Sequence, residues 1–191
     1  MTEFQFWEVL AVLLAIAYLV LAIRQNIWCW AAAAVSTLLY LFIMYRADLY
    51  MESALQLFYL GMAAYGWHEW RHGGAGGEEL KVSTWPVRYH LLALVTVMSL
   101  VLVSGELLSR YSSAALPFFD SFTTWGAVVA TFMVARKILE NWIYWFVIDA
   151  VSIGLYLARE LYFTAALFAL YLVMIVIGYR KWRASMLESS A

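Results

Sequence analysis

Seven long apolar stretches dominate this sequence and leave few residues between them. They cover approximately 5–23, 27–45, 49–70, 88–108, 118–135, 139–158 and 161–179. A helix of about 20 apolar residues spans the hydrocarbon core of a bilayer. Hydrophobic residues make up 65% of the chain and charged residues 13%, with a mean hydropathy of +0.77, far from the balance of a soluble domain. We therefore predict an all-α membrane protein with seven transmembrane helices.

The polar connections predict how these helices are oriented. Both prolines, Pro86 and Pro117, fall in connections, so the spans should be unbroken helices. No Lys or Arg precedes the first apolar run and no small-residue cleavage site follows it, so we expect a retained helix and not a signal peptide. Nine of the 12 Lys and Arg residues fall on the side that holds the C-terminus. By the positive-inside rule, the N-terminus lies outside and the C-terminus in the cytoplasm.

The chain also repeats itself. Residues 47–71 align without a gap on residues 159–183, with ten identities that include Gly66/Gly178 and Trp70/Trp182. Further upstream, Asn26-x3-Trp30 pairs with Asn141-x3-Trp145 after a shift of three residues. These matches predict two parallel three-helix repeats joined by a linker helix, an arrangement in which transporters bind substrate between the repeats. The predicted divisions are a first repeat at 1–70, a cytoplasmic linker with the fourth helix and an outer loop at 71–117, a second repeat at 118–183, and a cytoplasmic tail at 184–191.

One face of the sixth predicted helix carries polar and aromatic side chains. Asn141, Trp145, Asp149 and Ser152 follow one another at steps of four, four and three residues, which places them on the same side of a helix. Asp149 falls near the middle of the span, where a carboxylate is costly and usually marks a ligand or ion path. We therefore expect this face to line a functional site.

Other polar residues in the spans are candidates for the same site. The second set is Gln56, Tyr59, Asp120 and Thr124, and the first repeat adds the counterparts Asn26, Trp30, Thr37 and Glu52. Together they offer carboxylates, amides, hydroxyls and aromatic faces, which suit a small, polar, aromatic and cationic ligand. Two alternatives remain open: interhelical polar residues often hold a bundle together, and Asn26 and Asn141 are also placed to cap helices.

A short motif near the end of the third helix requires a separate interpretation. His68-Glu69-Trp70-Arg71-His72 fits the H-E-x-x-H pattern of zinc proteases. We expect His72 to lie beyond the helix end, and no clear third ligand follows. We therefore predict no metal or other cofactor, and an intramembrane metalloenzyme that uses His68, Glu69 and His72 is kept as a remote alternative.

Several motifs together resemble a known family. They are Phe119-Asp120-Ser121, Arg136-Lys137, Glu140-Asn141-Trp142, Trp145, Ser152, Tyr162 and Gly178 with Trp182, and in the first half Leu55-Gln56 and Tyr65-Gly66-Trp67. In order and spacing they resemble the Pnu-type vitamin transporters, which include the PnuC nicotinamide riboside transporters and a thiamine-transporting sister group. The resemblance implies a three-plus-one-plus-three fold like that of the SWEET sugar transporters and no enzymatic activity.

The resemblance also implies a mode of action. It suggests facilitated diffusion through a homotrimer in the bacterial inner membrane, with the vitamin trapped by a separate cytoplasmic kinase and with no nucleic-acid partner. The substrate contacts it implies are Gln56, Asn141, Trp145 and Asp149, followed by Asp120 and Thr124. The chain departs from the family at Asp149, where several nicotinamide riboside transporters are expected to carry an amide. A carboxylate suits the cationic ring of either vitamin, so nicotinamide riboside stays the first expectation and thiamine is the alternative. A non-transporting assembly or receptor protein is the third hypothesis.

Overall fold

Seven α-helices make up the architecture of the computed structural model, which describes residues 3–46, 50–111, 116–158, 160 and 162–189. The helices are α1 (Glu3–Ile23), α2 (Trp28–Arg46), α3 (Tyr50–His72), α4 (Val87–Tyr111), α5 (Pro117–Ala135), α6 (Asn141–Ala158) and α7 (Tyr162–Glu188). The predicted all-α fold with seven helices is confirmed. The largest difference in length is at α7, which continues past the apolar stretch to Glu188.

Helix length and composition explain why these segments belong in a bilayer. Among the described residues, α4, α5, α6 and most of α7 are each long and apolar enough to cross a membrane. Helices α1 and α2 contain the shorter apolar runs Leu10–Ile23 and Trp28–Ile43. Proline stands at the first position of α5, where its missing N–H and fixed φ favour a helix start.

The chain divides into two compact units. Unit 1 comprises Met1–Lys81 together with Ala135–Lys137, and unit 2 comprises Val82–Val134 and Ile138–Ala191. In unit 1, α2 packs against both α1 and α3, and in unit 2, α6 packs against α7. Helix α4, which the sequence assigns to the link between the repeats, is part of unit 2 in this division.

The glycine-rich connection after α3 folds back onto the end of that helix. The Gly73 amide donates to the Glu69 carbonyl at 2.8 Å, and the Leu80 amide donates to the Trp70 carbonyl at 3.2 Å. Gly76 and Gly77 have φ values of +73° and +84°, a region that glycine enters without steric cost. The turn therefore depends on these two glycines.

Each unit contains the same buried arrangement of two tryptophans and a glycine. In unit 1, Trp30 on α2 meets Trp70 on α3 edge to face, with ring centroids 5.6 Å apart. A side chain at Gly66 would collide with the Trp30 indole. In unit 2 the same relations join Trp142, Trp182 and Gly178. All four indoles are at most 2% exposed, so these clusters fix how the second and third helices of each repeat pack.

Candidate functional site

The polar face of α6 is present as predicted, and most of it is buried. Asn141 is completely buried, and Asp149 and Ser152 are each 5% exposed, while Trp145 is half-buried. The eight residue steps from Asn141 to Asp149 correspond to a rise of about 12 Å along the helix. The face therefore brings an amide, an indole, a carboxylate and a hydroxyl together in one line, none of them on the exposed side of the helix.

The turn between α5 and α6 determines where this face begins. The Ile138 amide donates to the Met133 carbonyl at 2.9 Å and so closes the end of α5, and Lys137 adopts a left-handed conformation with φ +48°. The Asn141 amide then donates to the Ile138 carbonyl at 3.1 Å. Asn141 is thereby placed at the first position of α6, with its side chain held in the interior.

The two polar atoms of the Asn141 side chain differ in their contacts. Its side-chain Nδ2 donates to the Ile138 carbonyl at 2.6 Å, a contact that braces the turn before α6. Within the described part of the chain, however, its buried Oδ1 has no hydrogen-bond partner. A buried acceptor without a partner costs about 1–3 kcal/mol, and a bound ligand or water that donates to it would remove this cost.

Unit 1 contains the same turn, and it corrects the alignment of the repeats. Gln25 has φ +53° and the Asn26 amide donates to the Leu21 carbonyl at 2.9 Å, and Lys137 and Ile138 do the same between α5 and α6. Residue numbers in the two turns differ by 112, as do Trp70 and Trp182. The predicted three-residue shift is therefore wrong, since one offset covers the turn and both following helices.

The corrected alignment changes the first-repeat counterparts. Trp30 corresponds to Trp142 and not to Trp145, and Thr37 corresponds to Asp149. Thr37 is 9% exposed and Asp149 5%, so both positions are buried in their own units. Asn141 corresponds to Cys29, which is completely buried. Cys29 was not predicted as the counterpart of Asn141. The shared Asn-x3-Trp pattern had suggested Asn26 in its place, although the gapless alignment further along the chain requires a different offset.

Asn26 and Trp30 have structural tasks in unit 1. Asn26 is exposed, and its Oδ1 accepts a hydrogen bond of 2.9 Å from the Trp28 amide, which is the capping role kept open as an alternative. The Trp30 ring lies against Gly66 and Trp70. Neither residue lies on a polar face equivalent to that of α6.

The other candidates are distributed over α3 and α5. Gln56 and Tyr59 are half-buried on α3 in unit 1, whereas the side chain of Glu52 lies outside the described residues. On α5, Asp120 is half-buried and Thr124 is exposed. Ser121 is 3% exposed, and its hydroxyl lacks a hydrogen-bond partner among the described residues. Ser121 belongs to the motif Phe119-Asp120-Ser121 but is not among the predicted substrate contacts.

The histidine motif at the end of α3 brings two imidazole rings together and places its glutamate against a guanidinium. His72 is the last residue of the helix, so the expectation that it lies beyond the helix end is wrong, and the His68 and His72 rings are 5.2 Å apart. Glu69 accepts a hydrogen bond of 2.5 Å from Arg136. Over the described ranges, no group of three or more His, Cys, Asp or Glu residues is arranged to hold a metal ion. The glutamate that would activate water is thus engaged with a guanidinium.

Two cations, Arg136 and Lys137, lie between α5 and α6 and belong to unit 1 by their contacts. Hydrogen bonding to Tyr65, together with the Glu69 carboxylate, raises the pKa of Arg136. Lys137 is 6% exposed, its ammonium lies 4.6 Å from the centre of the Trp70 ring, and burial lowers its pKa. These contacts attach the short segment that precedes Asn141 to the end of α3.

Comparison with known proteins identifies the family. The family model described as nicotinamide mononucleotide transporter matches residues 5–184. The chain belongs to this family. Proteins of the family are transporters, so the chain is a vitamin transporter of the Pnu type and not an enzyme.

The relatives are named as transporters of different vitamins. The chain is 27% identical to the riboflavin/roseoflavin transporter RibM of Streptomyces davaonensis, over 89% of this chain and 81% of RibM. It is 23% identical to the nicotinamide riboside transporter PnuC of Escherichia coli, over 73% of this chain and 69% of that protein. The crystal structure of the vitamin B3 transporter PnuC superimposes with a TM-score of 0.74 at 25% identity, covering 96% of this chain and 83% of that one. The Pnu-type fold is therefore established, whereas the relatives differ in the vitamin.

Proposed function

We propose that this transporter carries nicotinamide riboside across the membrane by facilitated diffusion. The observation that carries the proposal is the buried carboxylate of Asp149 on the polar face of α6. A carboxylate at membrane depth is costly unless a positive charge or hydrogen bonds accompany it. The pyridinium ring of nicotinamide riboside supplies that charge, and the ring is flat enough to stack on an indole.

The candidate residues take different parts in this proposal. Asp149 neutralises the pyridinium and Trp145 offers it a stacking face. The Oδ1 of Asn141, which has no hydrogen-bond partner among the described residues, accepts a hydrogen bond from the carboxamide or ribose of the substrate. Gln56 hydrogen-bonds to other polar groups of the substrate. The remaining proposed contacts are Tyr59, Asp120, Thr124 and Ser152, with Thr37 and Glu52 from the first repeat.

The cellular setting is part of the same proposal. An excess of Lys and Arg on one side supports an N-terminus outside and a C-terminus in the cytoplasm. We place the protein in the bacterial inner membrane as a homotrimer. Because facilitated diffusion only equalises concentrations, a cytoplasmic kinase that phosphorylates the vitamin would be needed to trap it.

Riboflavin is the second candidate, and one observation favours it. The similarity to RibM extends over more of this chain than the similarity to the Escherichia coli PnuC. Riboflavin is uncharged near neutral pH, whereas nicotinamide riboside and thiamine both carry a ring cation. A buried carboxylate therefore favours the two cations, and thiamine is the alternative within that class.

A side-by-side titration tests the proposal. Purified protein is titrated calorimetrically with nicotinamide riboside, thiamine and riboflavin under identical conditions. We expect nicotinamide riboside to bind at least about tenfold more tightly than riboflavin, which corresponds to about 1.4 kcal/mol. Tightest binding of riboflavin would reassign the substrate, and the absence of saturable binding by all three would contradict the proposed transport of these vitamins.

A further inference from the structure

Unit 2 contains an apolar groove that the proposed transport does not use. It has a volume of about 420 Å³ and lies among α4, α5 and α6. Its apolar walls are formed by Leu94, Val97, Phe122, Gly126, Val147 and Ile148. A β-carbon at Gly126 would approach two carbons of Ile148 to 3.1 Å, so the glycine keeps this part of the groove open.

Polar groups gather at one end of the groove. His90 lies in the first turn of α4, Tyr144 lies in the first turn of α6, and Glu140 immediately precedes α6. His90 Nδ1 and the Tyr144 hydroxyl are 3.0 Å apart, and a Glu140 oxygen accepts a hydrogen bond from the Trp85 amide at 3.3 Å. Because both helices begin here, this end lies at the membrane–water boundary, where aromatic residues such as Trp85 and Tyr89 are enriched.

The character of the groove changes with depth. From His90 to Val97 the chain advances seven residues along α4, a rise of about 10 Å. Leu94 and Val97 lie one and two turns beyond His90, and Val147 and Ile148 continue the apolar wall on α6. The groove is thus polar at the boundary and apolar in the direction of the bilayer centre, as a phospholipid is.

The groove is separate from the proposed vitamin site. On α6, the mean direction of Tyr144, Val147 and Ile148 lies about 100° from the mean direction of the polar face, and Ile148 stands at the edge between the two. The deep walls of the groove present only apolar side chains, so a polar vitamin would lose its hydrogen bonds to water there without replacement. An acyl chain makes no hydrogen bonds to water and so loses none in the groove.

We propose that this groove binds one acyl chain of a phospholipid whose headgroup carries an amine, with phosphatidylethanolamine as the expected occupant. The Glu140 carboxylate receives the ammonium group beside His90 and Tyr144. A carboxylate offers about four acceptor sites and the Trp85 amide uses one of them. Arg88, exposed in the first turn of α4, supplies a cation for the phosphate. Charge and depth thus both match a zwitterionic lipid.

Native mass spectrometry of the full-length protein tests the proposal. The protein is reconstituted with equal amounts of phosphatidylethanolamine and phosphatidylglycerol, extracted in mild detergent, and the retained lipids are counted. The variant Val147→Trp fills the groove from α6, and Leu94→Trp fills it from α4. Val95→Trp is the control, because Val95 is 64% exposed on α4 and does not line the groove.

We expect the wild type and Val95→Trp to retain one phosphatidylethanolamine per chain. Both groove-filling variants should retain at least about tenfold less phosphatidylethanolamine per chain, while their binding of the vitamin is unchanged. Glu140→Gln should abolish the preference for phosphatidylethanolamine over phosphatidylglycerol. Equal lipid retention by the filled variants and the control would overturn the proposal. So would a smaller oligomer in those variants with lipid retention unchanged, since the groove would then be a contact between copies of the chain.

Discussion

The indole of Trp142 stands edge-on to that of Trp182, with ring centroids 5.4 Å apart at an interplanar angle of 89°. Trp30 and Trp70 repeat the arrangement in the other unit at 5.6 Å and 85°. In both units a glycine on the third helix makes room for the tryptophan of the second. The two repeats thus share the packing of the scaffold, whereas the equivalent position on the second helix is Thr37 in one repeat and Asp149 in the other.

We expect Gly66→Ala and Gly178→Ala each to destabilise the protein by about 1–3 kcal/mol, because the added methyl group overpacks a buried indole. Thermal unfolding in detergent measures the effect. Gly61→Ala is the matched control on the same helix as Gly66, since nothing lies within 4 Å of a β-carbon at that position. A helix-interior alanine there should leave stability unchanged or raise it by up to about 1 kcal/mol. Equal melting temperatures for Gly66→Ala and Gly61→Ala would contradict the tight packing of Trp30.

We expect Asp149→Ala to abolish vitamin uptake into proteoliposomes while the protein still inserts and folds. Asp149→Asn keeps the size and removes the charge, and should weaken nicotinamide riboside binding about tenfold to a hundredfold, equivalent to a charge-assisted interaction of about 1.5–3 kcal/mol. Riboflavin, which has no cation, serves as the comparison ligand. If Asp149→Asn binds nicotinamide riboside as the wild type does, the carboxylate has no role in recognising the cation.

We expect the ion pair between Arg136 and Glu69 to contribute up to about 1 kcal/mol to stability. The two side chains are 2.5 Å apart and are 41% and 14% exposed, so solvent screens part of the attraction. Glu69→Gln and Arg136→Gln should each lower the melting temperature, and a double-mutant cycle measures their coupling. The exchanged pair Glu69→Arg with Arg136→Glu should recover part of the loss. Additive effects of the two single substitutions would show that the pair contributes nothing.

The two equivalent turns allow a test of the buried Lys137 side chain. Gln25→Gly should stabilise the protein by about 1 kcal/mol, because glycine adopts the left-handed conformation without the steric cost borne by other residues. Lys137→Gly gains the same relief but loses the contact of the ammonium with the Trp70 ring, which is 4.6 Å away and contributes about 0.5–2 kcal/mol. We therefore expect the melting temperature of Lys137→Gly to fall below that of Gln25→Gly. Identical shifts would indicate that the lysine side chain adds no stability.

The sequence by itself predicted the seven helices, the family and the polar face of α6. These depend on local properties: the length of apolar runs, the helical spacing of Asn141, Asp149 and Ser152, and motif order. The division at 1–70, 71–117 and 118–183 remains a prediction about the repeats. The substrate contacts stay a prediction as well, since a polar side chain on a helix face does not reveal what it binds.

Only the tertiary structure decided how the two repeats align and which contacts several of the predicted site residues make. Asn26 and Asn141 look alike in the sequence, yet Asn26 is exposed and caps a helix, whereas Asn141 is buried and its Oδ1 meets no hydrogen-bond partner in the part of the chain that the structure describes. Glu69 is part of a catalytic motif in the sequence and pairs with Arg136 in the structure. The physical reason is that helical periodicity is local, whereas the partner of a side chain depends on packing between segments far apart in the chain, such as Trp30 with Gly66 and Trp142 with Gly178.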